Sequence, residues 1–537
     1  MMFQKKIFQK NILPGFLIQG LSFLRRHLIK HIFNGSCKFL FFVRGFSRSC
    51  FLMSWLAFIR PCSIRHGFKK PFFLMACFVF AALLMNEASF AQSAKTRPAV
   101  ATGTRAGILR AAVTKVDITP ETPKMLLGYA ARQSTGIHDR IYHRIIALDD
   151  GTTQFFLVST DICVISPSEY DHVAGMLQKQ LGINPLNFWW TLTHTHSAPE
   201  VGVPGLPEAF MGDRYKHEVD TAYTRQVEQS LIRGIIDTRN QLAPARMGIG
   251  WGFSQANINR RAWDIDGKAS GGMNPDGPVD RRIGLIRLDK EDGSPLALIA
   301  NYAIHGTVLG PDNLQISGDV QGVVSEYVQE KIGVPMLFIN GAAGNMAPIY
   351  SVYPNPRAGH LGQFRVLLGD KILDAYKKIA AETDTVKLFT GALTIETPRK
   401  SRLVNWPKDL ANYTRAMPSG VNMVKLPVRF LKINEDLAVW SAPLELFCEI
   451  SNNIRTRSPF PYTFYFGYTN GWLGYLATEK EWAHGGYEVE TVSPYTISVE
   501  KDFTEPIVGY LHGEMKSAKT ITPAAPEKTK KKMRKGA

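Results

Sequence analysis

Short apolar runs alternating with helix-length stretches set the strongest limit on how this chain can fold. Residues 155–159, 285–288, 296–302 and 336–339 read as buried strands. Residues 166–181 read as a helix with a start signal: Ser166 as N-cap, Pro167 at the first helical position and Glu169 three residues after the cap. A second helix is expected over 322–332. The alternation predicts an α/β fold, with a mixed or largely parallel sheet and flanking helices in a single folded domain. Segments 161–163, 194–196, 305–307 and 340–345 each follow an apolar strand, where open α/β sheets place their ligands.

Charge is concentrated at the two ends. Residues 1–91 hold seven Lys, six Arg and one acid, Glu87; residues 516–537 hold eight Lys or Arg and one acid, Glu527. Removing both ends from the formal +17 leaves about −2 for the folded body. The basic balance therefore gives no support for nucleic-acid binding, and the body carries no basic-aromatic recognition motif.

The apolar run 72–85 follows Arg65, Lys69 and Lys70 and precedes Ser89-Phe90-Ala91. This is the layout of a signal peptide cleaved near Ala91, and it implies a secreted or periplasmic protein. Its 14 residues fall short of the roughly 20 that a membrane span needs. Met53 is an alternative start, which would leave 1–52 outside the true reading frame. Residues 92–107 read as a linker, 108–515 as the folded domain and 516–537 as a basic disordered tail. The tail could touch an anionic membrane surface. Cys163 and Cys448, in apolar runs, read as small core residues, and no disulfide framework is indicated.

The most informative motif is Thr191-Leu-Thr-His-Thr-His-Ser-Ala-Pro199. On an extended segment, His194 and His196 would point the same way and reach one site, which suits a metal such as zinc. The competing reading has one histidine bonded in a loop and the other solvated. Ser-Ala-Pro after the second histidine argues against an Asp-His metallo-β-lactamase pattern, and no His-Glu-x-x-His helix occurs.

His194-Thr-His-Ser-Ala-Pro199 resembles a motif of the neutral/alkaline (non-lysosomal) ceramidase family, and further matches follow in order. They are Asp117-Ile-Thr-Pro120, Leu127-Gly-Tyr129, Gly136-Ile-His138, Asn257-Ile-Asn-Arg260, Ala303-Ile-His-Gly-Thr307 and Ile316-Ser-Gly-Asp319. Gly344-Asn345, Pro443-Leu-Glu445 and Gly474-Tyr-Leu-Ala-Thr478, with Glu481 and Tyr487-Glu488, complete the series, which runs from about 110 to 505. The resemblance implies the family's catalytic domain. Only about 50 residues follow Tyr487, so the immunoglobulin-like C-terminal domain of full-length relatives is not expected here.

Carried over residue by residue, the resemblance implies a Zn²⁺ site of His194, His305, Glu445 and Tyr475. It makes His196 the acid–base group and gives Arg260 and Tyr487 the task of steadying the oxyanion. Arg261 competes with Arg260 for that assignment. Asp161, His138 and Asp319 are candidates for shaping the pocket or for capping and turn roles. One departure stands out: where the family has Gly-Asn/Asp-x-Ser-Pro, this chain reads Gly344-Asn-Met-Ala-Pro348. Ala347 has no hydroxyl, so a serine nucleophile there is excluded. The implied activity is zinc-dependent hydrolysis of the N-acyl amide of ceramide to sphingosine and fatty acid. Hydrolysis of another N-acyl compound, or a metal-retaining envelope binding protein without turnover, are the alternatives. The partner implied is a lipid or N-acyl amide; no protein partner is inferred.

Overall fold

A computed structural model of the protein describes residues 106–349, 351, 360–403, 405–513 and 519–521. The expected signal peptide, nearly all of the linker and most of the basic tail lie outside the described residues.

Eight strands form the main sheet: β1 (Arg110–Asp117), β2 (Tyr142–Asp149), β3 (Gln154–Thr160), β4 (Phe188–Leu192), β5 (Ala243–Phe253), β6 (Arg282–Lys290), β7 (Pro295–Tyr302) and β8 (Met336–Asn340). Their spatial order is β8-β7-β6-β5-β1-β2-β3-β4. The end pairs β7/β8 and β3/β4 are parallel, and the pairs between them are antiparallel. The sheet is therefore mixed, and the largely parallel alternative does not hold. The reason is local. Asp-Gly turns after β2 and β6 return the chain at once, and a short turn can only join antiparallel neighbours. At the first turn, Asp150 Oδ1 accepts the N–H groups of Thr152 and Thr153 at 2.8 and 2.7 Å.

The sheet coils until its two parallel ends meet. Ser159 Oγ on β3 donates to Phe338 O on β8 at 2.6 Å, and Asn340 Nδ2 donates to Thr193 O at 3.1 Å. The C-terminal ends of β3, β4, β7 and β8 are thereby gathered in one place. A second sheet comprises β9 (Leu388–Pro398), β10 (Asn422–Ile433), β11 (Leu437–Ser441) and β12 (Tyr462–Phe466), with β13 (Lys519–Ile521) beside β9. Leu431, Val439, Phe464 and Phe466 from this sheet share a buried cluster with Ile146, Leu157 and Trp189 of the first. The strand β13 corrects the expectation of a wholly disordered tail: residues 519–521 pair in parallel with Leu393–Ile395.

Helices cover the outer faces: α1 (Pro167–Leu181), α2 (Thr221–Asn240), α3 (Asp319–Ile332), α4 (Cys448–Arg457) and α5 (Val499–His512). The Ser166 cap and Pro167 act as read, with Ser166 accepting the N–H of Ser168; Gly182, which the sequence reading did not single out, closes the helix at φ 68°. Helix α3 starts at Asp319, three residues earlier than expected, and buries Val320, Val324 and Val328 against Met336 and Phe338. Among the described residues no helix is long and apolar enough to cross a membrane. Cys163 and Cys448 are buried and unpaired, as read.

Glu169 turns inward instead of closing a capping box. Its carboxyl is buried against Glu228 of α2, and burial together with that neighbour raises it to about 8. His172 Nε2 lies 3.6 Å from Glu228 on the other side. A carboxyl raised in the folded state stabilises the fold only while protonated. Stability should therefore decline as pH rises from the unfolded value near 4.5 through about 8. Glu169→Gln should flatten that decline in thermal denaturation followed from pH 5 to 9. An unchanged slope would show that the two carboxyls do not share a proton.

Candidate metal centre and active site

Four chain segments converge where the coiled sheet closes. After β4 the backbone leaves the strand, and His194 takes a left-handed φ of 64°. The period-two argument for His194 and His196 thus fails, although its conclusion stands. The positive φ swings His194 inward, the isolated bridge between Thr195 and Gly306 holds the loop, and His196 Nε2 comes 3.1 Å from His194 Nε2. His305 follows β7. Glu445 and Tyr475 sit opposite one another on a two-residue parallel ladder, Glu445–Leu446 with Tyr475–Leu476, which gives their side chains the same face.

Hydrogen bonds on the far side of each ring set the chemistry of the near side. His194 Nδ1 faces Cys163 O at 3.0 Å, and His305 Nδ1 faces Ala343 O at 2.7 Å and Met346 O at 3.0 Å. Carbonyl oxygens only accept, so both Nδ1 atoms carry hydrogen and the Nε2 atoms turn toward the centre. There the two Nε2 atoms are 3.2 Å apart, and Glu445 Oε2 lies 3.2 and 3.0 Å from them. Tyr475 Oη stands 3.3 Å from His305 Nε2. Two nitrogens and a carboxylate oxygen this close, all buried, repel unless a cation or proton lies among them. Ligands of a tetrahedral zinc stand about 3.3 Å from one another, so the spacing and donor types fit such an ion.

The charges around this point act strongly on one another. Burial pulls the His194 imidazole down, but the Glu445 carboxylate overrides it and holds His194 up at about 10. Burial and then Arg260 press His305 down to about 4. Glu445, despite burial, is held well below the usual carboxylate range by His194. His196 is driven well below its usual value by burial and by His194 and His305, and so stays neutral.

Around this core the expected residues separate cleanly. Arg260 is partly buried beside the centre, with Nη2 on Tyr475 Oη at 3.0 Å and Nε on Glu488 at 3.0 Å. Arg261 points elsewhere, to Glu481, Glu488 and Gly485 O, each at 2.7 Å, and so braces the wall behind. Tyr487 is 43% exposed, with its ring 6.0 Å from that of Tyr475, at the mouth of the site. Asp161 is taken by a fully buried pair with Arg144 at 2.7 Å. His138 bonds Asp139 in a part-exposed position. Asp319 accepts the N–H groups of Val308 and Leu309 and holds the loop after His305.

Three residues at the centre have no motif of their own in the sequence reading. Trp472 Nε1 donates to Glu445 Oε1 at 2.9 Å, Tyr468 stacks on His194 with ring centres 4.2 Å apart, and the Cys163 Sγ lies 3.7 Å from His194 Nδ1. Cys163 belongs with His194 and His196 in a second group of closely spaced ligand atoms, beside the group His194, His305 and Glu445. The parallel register of β3 and β4, with Thr160 opposite Leu192, was the signal that places Cys163 near His194.

Residues 110–338 match the family model described as neutral/alkaline non-lysosomal ceramidase, N-terminal. Neutral ceramidase B of Dictyostelium discoideum is 29% identical over 233 residues, 41% of this chain and 31% of that protein. Neutral ceramidase A of the same organism is 31% identical over 229 residues, 40% and 31% of the two chains. Neutral ceramidase of Mycobacterium tuberculosis is 24% identical, covering 40% of this chain and 35% of that one. The aligned region thus spans about a third of the length of these curated relatives. The crystal structure of neutral ceramidase from Pseudomonas aeruginosa shares the fold, with a TM-score of 0.62 at 18% identity, covering 78% of this chain and 76% of that one. Residues 110–338 of this chain are thus similar to the N-terminal region of the neutral/alkaline non-lysosomal ceramidase family.

Proposed function

We propose that the protein is a zinc-dependent amidohydrolase that cleaves the N-acyl bond of ceramide, giving sphingosine and a fatty acid. The observation that carries this reading is the closure of His194, His305 and Glu445 on one buried point, within 3.2 Å of one another, with Tyr475 alongside. These four would hold the ion. Bound there, Zn²⁺ would supply Lewis acidity toward an amide carbonyl and make water a competent nucleophile near neutral pH.

The chain's own residues account for the rest. Arg260, its charge fixed by Glu488 and its Nη2 already at the Tyr475 phenol, presents a cation to the amide oxygen. Tyr487, 43% exposed and a phenol at neutral pH as any tyrosine is, offers an O–H to the same oxygen from the mouth. His196, held neutral, can take a proton at Nε2 from the attacking water and return it to the amine nitrogen as the C–N bond breaks. Water adds across the amide, so the acyl carbon leaves as a carboxylic acid and the nitrogen as an amine. Ala347, buried in the strand Met346–Pro348, supplies no hydroxyl, and this scheme needs none.

Metal analysis should find about one zinc per chain, lost on His194→Ala, His305→Ala or Glu445→Ala. Full zinc in those variants would refute the ligand set. His196→Ala should keep its zinc yet slow turnover of detergent-dispersed N-acylsphingosine about 10²–10⁴-fold, the usual worth of a positioned acid–base group.

Ala347→Ser should alter the rate only modestly. A large gain of ceramide hydrolysis in that variant would mark the natural protein as an altered member. Cleavage of a small soluble N-acyl amide, with no N-acylsphingosine of any chain length cleaved, would replace ceramide by another N-acyl substrate.

A further inference from the structure

His196 lacks the support that an acid–base histidine ordinarily has. Such a ring is normally oriented by an acceptor on its second nitrogen. Here His196 Nδ1 is buried, and no protein atom among the described residues hydrogen-bonds it. Its ring nevertheless occupies one orientation, because it is boxed in by the segment 128–132. Gly128 lies flat against it: at φ 122°, a Cβ on residue 128 would fall 2.5 Å from His196 Cγ and 2.7 Å from its Nδ1. Only glycine fits both that backbone angle and that approach. The Tyr129 ring meets the imidazole edge to face, with centres 4.8 Å apart.

Arg132 locks the box from outside. Its Nη2 donates to His196 O at 2.6 Å, and its Nη1 donates to Asn313 O at 2.9 Å and Pro311 O at 3.1 Å. Its guanidinium lies over the Tyr129 ring, 4.8 Å from the centroid. The Tyr129 hydroxyl closes the ring of contacts by donating to Leu309 O at 3.3 Å.

We infer that Gly128, Tyr129 and Arg132 are positioning residues that aim the His196 imidazole by packing and through its backbone, in place of a hydrogen bond to Nδ1. The inference rests on the acid–base role proposed for His196. Tyr129 contributes its ring, and its hydroxyl serves only to fix the ring against Leu309. An imidazole free to turn about its side-chain torsions still occupies the site, but delivers its proton in a smaller fraction of encounters. The loss therefore falls on kcat and spares KM.

The test uses the full zinc-loaded protein and a detergent-dispersed short-chain N-acylsphingosine. Tyr129→Leu should lower kcat about tenfold or more with KM and zinc content unchanged, and Tyr129→Phe should restore most of that loss. Adding Tyr129→Leu to His196→Ala should slow the reaction no further than His196→Ala alone, because the positioning residue acts only through the imidazole. Arg132→Gln supplies a second variant should Tyr129→Leu fold poorly, with the same non-additivity expected. Equal, additive losses in both backgrounds would overturn the inference and leave His196 its role. A His196→Ala variant with undiminished kcat would instead overturn the acid–base reading, and the positioning inference with it.

Discussion

The side chain of Asn340 carries the closure on which the rest of the molecule depends. At the end of β8, its Nδ2 donates to Thr193 O at 3.1 Å and to Ile304 O at 2.8 Å, and its Oδ1 accepts the N–H of Ile304 at 3.1 Å. One fully buried amide thus joins the chain after β4 to the chain after β7. It holds together the ends of a sheet whose strands are far apart along the hydrogen-bonded path. Ile304 O is also held by Gln321 Nε2 at 2.7 Å, but a buried backbone group left without its partner would cost about 1–3 kcal/mol, so the closure is specified rather than merely tolerated. His194 lies one residue beyond one end of this clamp, and His305 one residue beyond the other.

What the closure creates is an electrostatic conflict with a chemical use. Glu445 is almost fully buried, and a lone carboxylate there would be strongly disfavoured. It is kept charged by the imidazoles and by two donors, Trp472 Nε1 and the Tyr468 hydroxyl. The same interior that penalises an isolated charge strengthens every paired one. A second network continues the theme behind the centre: Glu488 bridges Arg260 and Arg261, and Glu481 takes the remaining face of Arg261. Arg260 is therefore held at a fixed point beside the candidate centre.

Much of this was legible along the chain because it rests on local chemistry. Ser166 and Pro167 start α1 by rules that act within a few residues. The apolar runs at 155–159, 296–302 and 336–339 became buried strands toward the two ends of the main sheet. The candidate site residues were proposed from ordered resemblance, not from geometry. The geometric argument offered for His194 and His196 was incorrect in its premise, since a left-handed residue stands where an extended one was assumed. Strand direction was not read along the chain, although the Asp-Gly turns after β2 and β6 carried its signal.

The sequence by itself determined which side chains could hold a metal, where the chain reverses and which faces are apolar, since each follows from residue type and short spacing. It also determined that no hydroxyl stands at 347. Only the tertiary structure decided which arginine reaches the candidate centre: Arg260 meets Tyr475, while its neighbour Arg261 is taken by Glu481 and Gly485 O. It decided, too, that Cys163, Tyr468 and Trp472 surround the ligands, and that Gly128 and Tyr129 rest on His196. Those pairings join residues up to hundreds of positions apart, and they arise from the coiling of the sheet, a property of how all its strands twist and pack together.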